Sequence, residues 1–380
     1  MKNPSGKRRD FFISMKIVQF IKSNVVLAIA ILAAAVTTCF VPPDRQWLGY
    51  FDWKTLTCLF CTLAVVGALR NILFFTMLAH NIVRLFRTTR TSILALAYIT
   101  FIGSMFIAND MALLTFLPLG YFVLSSTGNE KHLAFTFIMQ NIAANLGGML
   151  TPFGNPQNLY LYTKFTIDTV EFMKIMAPPF AVAVLLITIC CLCVESTPLR
   201  VEKTPVQKHT VRMCIYLALF ALSVVIVFRL VPYYYGLAVI TGVLLVMDRK
   251  ALKKVDYPLL LTFTAFFIFS GNMSRIEWVH DVFKHLLSKD TLTVSTLSCQ
   301  FISNVPSAIL LSQFTENYRD LLVGVNIGGT GTLIASLASL ITFREYQRLY
   351  PGKVRRYLLL FTAYNASFLG ILLAFMHLIK

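Results

Sequence analysis

The chain predicts an all-α polytopic membrane protein of two inverted repeats, each with a re-entrant helical hairpin and a broken transmembrane helix. Three observations lead there. Of 380 residues, 57% are hydrophobic and only 13% charged, with a mean hydropathy of +0.70, a balance foreign to a water-soluble chain. Apolar runs long enough to span ~30 Å of hydrocarbon recur between short basic loops. Two of the runs are interrupted by residues that cannot continue a helix, and a shorter polar tip precedes each interruption.

In order along the chain, residues 1–23 form a cytoplasmic, interfacial N-terminus, in which Lys7, Arg8 and Arg9 precede a mixed apolar and basic stretch at 11 to 22. No small-residue cleavage site follows, so the first span, 24 to 41, should stay as an anchor. A span at 54 to 70 leads into an amphipathic stretch at 71 to 86. Residues 91 to 127 are apolar except for Asn109-Asp110 near their middle, the pattern of a hairpin that enters and leaves on one side. A broken span at 133 to 165 and an intact one at 175 to 194 complete the unit. Residues 195–211, with Pro198, Pro205, Glu202, Lys203 and Lys208, read as a solvated cytoplasmic linker. Spans at 212 to 230, 233 to 248 and 257 to 271 follow, then an amphipathic stretch at 272 to 287. A second hairpin at 291 to 315, tipped by Ser303-Asn304-Val305-Pro306, a broken span at 321 to 343 and a last span at 357 to 378 end the chain. That makes about nine full crossings and two hairpins.

Charge orients this layout, because basic loops stay cytoplasmic. With the N-terminus inside and the C-terminus outside, 24 of the 34 Lys and Arg fall on the inner side. Among them are Arg84, Arg87, Arg90, Arg249, Lys250, Lys253, Lys254, Arg355 and Arg356. The net charge of +17 therefore reads as a topology signal in contact with anionic lipid, not as a nucleic-acid surface. The segment 54 to 194 matches 257 to 378 element by element, and a unit of three crossings ends on the side opposite its start. The two spans between the units keep the second one inverted. Inverted repeats with discontinuous helices mark secondary transporters, sited here in a cytoplasmic (inner) membrane.

Backbone groups freed inside a bilayer must be satisfied by protein, ion or ligand, so the breaks are candidate site walls. The first offers Thr151, Gly154, Asn155, Pro156, Gln157 and Asn158; the second offers Gly328, Gly329, Thr330, Gly331 and Thr332. The hairpin tips add Asn109, Asp110, Ser303 and Asn304. Asp110 is the one carboxylate at membrane depth, where an ionisable group is functional by default: it can hold a cation, take a coupling proton, or cap the returning helix. Carbonyls at the end of one half-helix suit Na⁺, while N–H groups at the start of the next suit an anion. Na⁺ or H⁺ is the coupling ion expected, and no other cofactor is. A Na⁺ site is expected near Asn109, Asp110, Gly154, Asn304 and Gly329. No Lys or Arg lies at this depth, so an anion must be held by N–H groups, amides and hydroxyls, unless a peripheral residue such as Arg229 reaches inward. Cys58-Leu-Phe-Cys61 and Cys190-Cys191-Leu-Cys193 sit on apolar helices without His or acidic partners and read as packing. His80, His132, His209, His280, His285 and His377 fall at interfaces, in loops or near helix ends, and no nucleophile and base share a depth, so no enzyme is expected.

At these residues the chain resembles the ion transporter superfamily of divalent anion/sodium symporters, citrate transporters, arsenite permeases and sodium/proton antiporters. Gly154-Asn155-Pro156-Gln157-Asn158 resembles the family's loop in the first broken helix, and Gly328-Gly329-Thr330-Gly331-Thr332 that in the second. Dicarboxylate symporters carry Ser-Asn-Thr at both tips; Ala108-Asn109-Asp110 and Ser303-Asn304-Val305 look more like the arsenite permease and antiporter branches. The resemblance implies a central site between two tips and two breaks, on a substrate-holding part that moves against a homodimeric scaffold. It places 24–90 and 212–290 in the scaffold and 91–194 and 291–380 in the moving part. Three functions follow as expectations: uptake or efflux of a small anion driven by Na⁺ or H⁺, Na⁺/H⁺ exchange through Asp110, and arsenite or metalloid efflux.

Overall fold

Residues 24–83, 86–198 and 210–380 are described by the structure, a computed structural model. The N-terminal expectations for 1–23, most of the linker at 195–211 with His209, Arg84 and the side chain of His80 lie outside the described residues. Within them the regular structure is helical, apart from one isolated bridge between Thr88 and Pro198.

The first repeat begins after α1 (Val25–Phe40) with α2 (Trp53–Asn71) and α3 (Phe74–Val83). The hairpin is α4 (Thr89–Phe106) and α5 (Asn109–Ser126). The broken helix is α6 (Leu133–Gly147) and α7 (Pro156–Lys164), and α8 (Thr169–Leu192) closes the unit. Next come α9 (Thr210–Val227), α10 (Tyr233–Met247) and the short α11 (Arg249–Lys253). The second repeat runs α12 (Tyr257–Ser274), α13 (Glu277–Ile302), α14 (Asn304–Leu311), α15 (Tyr318–Ile327), α16 (Leu337–Leu349) and α17 (Val354–Leu378). Asp290 leaves helical geometry at φ −159° and ψ 90°, so α13 divides there into the amphipathic stretch and the first arm of the second hairpin.

Loop chemistry sets the helix starts. Side chains of Asp52, Asp168, Asp248 and Asp256 accept from N–H groups in the first turns of α2, α8, α11 and α12, and Thr88 with Thr91 forms a capping box on α4.

Among the described residues five stretches, Trp53–Asn71, Thr89–Phe106, Glu130–Leu150, Thr169–Leu192 and Pro351–Leu378, are long and apolar enough to cross a membrane; Tyr257–Ser274 bends by 95° into Glu277–Ile302. Three more apolar helices, Val25–Phe40, Val211–Val227 and Tyr233–Met247, are shorter. The hairpins are unequal. Each arm of the first has 18 residues, about 27 Å at 1.5 Å per residue, whereas α14 has eight. Length alone would let α4 cross the bilayer; the meeting of its tip with the second tip identifies it as a hairpin arm.

Packing is reciprocal between the repeats. The second half of each broken helix lies along the other repeat's hairpin, α7 against α14 and α16 against α5. The first halves stay with their own hairpins, α6 on α4 and α15 on α13. Around them α12 packs on α1, and α2 on α9 and α10. The span holding α6 has 83% of its residues buried, against 28% in α8 and 22% in α17, so the first break sits at the centre of the molecule.

Candidate functional site

Four helices begin at one small cavity. Its walls include Asn109 and Asp110 at the start of α5, Pro156 and Gln157 at the start of α7, Ser303 to Pro306 at the start of α14, and Leu337 at the start of α16. Val26, Leu259 and Thr262 close it from α1 and α12. The volume is about 40 Å³. That admits a few waters or one small ion and falls well short of the roughly 300 Å³ at which small-molecule pockets begin.

Local sequence explains each wall. Pro156 fixes the entry to α7 at a position where its missing N–H leaves no intrahelical bond unmade. At the two tips the same device recurs: Asn109 Oδ1 accepts from the Asp110 N–H at 3.0 Å, and Asn304 Oδ1 from the Val305 N–H at 2.9 Å. Ser303 stands at φ +75°, a sparsely populated backbone for a non-glycine residue. It is held there because Ser303 Oγ and the Asn304 N–H both donate to the Ala335 carbonyl. The helices α5, α7 and α14 have no side-chain hydrogen bond from their N-cap residues, unlike the loop-capped helices above.

Behind the wall an amide network joins the breaks. Asn109 Nδ2 donates to Asn145 Oδ1 at 3.2 Å, and Asn155 Nδ2 to the Asn145 carbonyl at 3.2 Å. Asn326 Nδ2 donates to Asn158 Oδ1 at 2.6 Å, while its Oδ1 accepts from Asn155 and Gln157. Asn158 Nδ2 also reaches the carbonyls of Gly148, Met149 and Thr151, stitching its own break, and Thr151 Oγ1 donates to the Met105 carbonyl. In the second break Gln300 Nε2 donates to the carbonyls of Gly328 and Thr330, and Gln300 Oε1 accepts from the Thr332 N–H.

Of the residues picked from sequence, Asn109, Asp110, Pro156, Gln157, Ser303 and Asn304 meet at the cavity. Thr151, Asn155, Asn158, Gly328 and Thr330 shape it from behind through the bonds just described. Gly154 packs on the Gly148 carbonyl, where a Cβ would come within 2.3 Å, and a Cβ on Gly329 would lie 3.0 Å from Asn304 Nδ2. Asn145, Asn326 and Gln300 were not among them. Their signal was an amide inside an apolar half-helix, four residues from Asn141 in the case of Asn145. Arg229 does not reach the tips; its guanidinium donates to the carbonyls of Tyr162 and Ile167.

The electrostatics are two-sided. Four helix N-termini turn the positive ends of their dipoles toward the cavity, which favours an anion. Asp110 Oδ1 and Gln157 Oε1, both buried and both on wall residues, have no hydrogen-bond partner among the described residues. Buried oxygens in that condition favour a cation or a proton.

A family model described as citrate transporter matches residues 11–317. The chain is 33% identical over 313 residues to an uncharacterized transporter of Methanocaldococcus jannaschii, covering 81% of this chain and 85% of that protein. It is 28% identical over 311 residues to the inner membrane protein YbiR of Escherichia coli strain K12, covering 80% and 83%.

Proposed function

The chain belongs to the citrate transporter family and is a membrane transporter, and on that footing we propose that it is a secondary active carrier of a small anion, coupled to Na⁺ or H⁺. The observation that carries this is the convergence of four helix N-termini and an Asp110 carboxylate on one cavity. The N–H ends supply the anion subsite, and Asp110 with the unpartnered Gln157 oxygen supplies the cation or proton subsite.

A cavity of about 40 Å³ is closed to a polyatomic anion such as citrate, so loading requires the walls to part. The seam for that movement lies between a scaffold of α1 to α3, α9 to α12 and α13 up to Asp290, and a moving body of α4 to α8, the rest of α13, and α14 to α17. Val26, Leu259 and Thr262 belong to the scaffold, the rest of the wall to the moving body. Sliding the second past the first exposes the site to alternate sides, an elevator-type cycle.

Na⁺/H⁺ exchange is the second reading, favoured by Asp110 Oδ1 being buried without a partner. Reconstituted vesicles given labelled citrate, phosphate and arsenite, with and without a Na⁺ gradient at fixed pH, separate the two. Anion accumulation that follows the gradient is the expected result. Na⁺/H⁺ exchange that proceeds without any added anion would exclude the first reading.

A further inference from the structure

The turn between α9 and α10 belongs to neither repeat, yet it touches the site-bearing helix at both ends. Phe228 stands edge-on to Phe153, inside the first break, with ring centroids 5.7 Å apart. Beside it Arg229 Nη2 donates to the Tyr162 carbonyl at 2.5 Å, Nη1 donates to the Ile167 carbonyl at 3.3 Å, and the guanidinium lies 4.2 Å from the centre of the Tyr162 ring. Tyr162 is in the last turn of α7, whose carbonyls have no intrahelical partners and carry the negative end of the dipole. The helix ends there through Thr166 at φ +51°, with the Ile167 N–H returning to the Tyr162 carbonyl at 3.2 Å.

Two details set this contact apart from ordinary packing. Arg229 closes α9 at φ +63°, a left-handed position that glycine fills by default. An arginine there accepts backbone strain in exchange for what its side chain reaches. And α9 and α10 pack on α2, so the turn moves with the scaffold, whereas α7, which also touches α2, packs on α14 and α15 of the moving body.

We propose that Phe228 and Arg229 form a latch that positions α7, and with it Asn155 to Asn158, in the closed state, and that the latch releases in each transport cycle. The inference rests on the moving-body reading above. Because a planar guanidinium bridges two carbonyls and lies over a ring at once, no other side chain replaces it fully; lysine keeps the charge and donors but lacks the planar fork that spans both carbonyls and the ring.

The test places spin labels on exposed lipid-side positions of each body, Val246→Cys on α10 and Leu359→Cys on α17, after the exposed Cys39, Cys193 and Cys214 are changed to Ser. Pulsed dipolar spectroscopy in liposomes then reads the distance populations in potassium chloride, sodium citrate and acidified buffer. With Arg229 intact one distance dominates. Arg229→Gln should shift the ratio of populations by roughly tenfold, the scale of a hydrogen bond to a charged group. Phe228→Ala should shift it the same way and Arg229→Lys should recover part of it. Distances for Arg229→Gln that superimpose on the parent, with only thermal stability lowered, would reduce Arg229 to a helix cap and overturn the latch. If the parent changes distance between conditions in that case, the sliding reading stands alone. One unchanging distance in every variant and condition removes both.

Discussion

Asp110 is a carboxylate in the first turn of α5, buried, with one oxygen lacking a hydrogen-bond partner. A cap has no need of burial beside an empty volume, since the loop caps Asp52, Asp168 and Asp248 do the same work at helix ends away from it. Asp110→Asn keeps the shape and removes the charge. It should abolish the response of transport to the driving Na⁺ or pH gradient while leaving the purified protein folded, measured as uptake with and without the gradient. Full gradient dependence in that variant would confine Asp110 to capping. Gly329 offers a steric test of the same wall. A Cβ there would meet Asn304 Nδ2 at 3.0 Å, on an amide whose Oδ1 holds the Val305 N–H, and the Asn326 main-chain carbonyl at 3.2 Å. Gly329→Ala should therefore cost about 1–3 kcal/mol by overpacking and depress transport. Gly370→Ala, where nothing lies within 4 Å, should be neutral or gain about 0.5–1 kcal/mol from helix propensity, read as thermal midpoints in detergent.

The broken helices show which features of the site are local in origin. Pro152, Pro156 and the glycines of both breaks are visible as interruptions because proline and glycine act on their own backbone, and the structure interrupts the helices at those places. The tips were legible as polar residues within otherwise apolar runs. What was not legible is partnership: Asn155 meets Asn326 across 171 residues of sequence, and nothing near either residue encodes the other. Nor did composition reveal that the first hairpin's arms are membrane length while α14 has eight residues, because tip polarity marks where a hairpin turns and not how far it reaches. Asn326 carries the join between the halves, with four hydrogen bonds to α7's entry and its own helix. Asn326→Leu, of similar size, strands the Gln157 donor and the Asn158 acceptor, while Asn155 Nδ2 keeps the Asn145 carbonyl. A buried unpartnered polar group costs about 1–3 kcal/mol, so at least about 2 kcal/mol of stability should go. Pairing it with Asn158→Leu should cost less than the sum of the single changes; strict additivity in that cycle would mean that the 2.6 Å contact contributes nothing.

For the whole molecule, charge and fold must agree on one orientation. The charge-derived layout leaves the outer side with nearly equal numbers of acids and bases and puts the excess inside. Ion pairs at the predicted outer ends fit that balance: Arg275 with Asp44 at 2.7 Å, Arg319 with Glu171 at 2.5 Å, and Lys380 with Asp320 at 2.6 Å. Paired charges contribute little to a positive-inside signal, so the excess of inner Lys and Arg decides it. The orientation matters to mechanism, because it sets which hairpin opens to which compartment and hence which face Asp110 approaches. The chain's own cysteines can report it. Cys39 lies at the far end of α1 and Cys193 just past α8, and both are exposed. With the N-terminus inside, α1 carries Cys39 outward and α8 carries Cys193 inward. In intact cells expressing single-cysteine variants, a membrane-impermeant maleimide should label Cys39 at once and Cys193 only after permeabilisation. The reverse pattern would turn the molecule over, place the +17 excess outside, and show that hairpin packing rather than loop charge directs insertion. Labelling of both without permeabilisation would put the two helix ends on one side, which an even number of crossings between them would require, and the broken helix at 133 to 165 would then have to be counted as re-entrant.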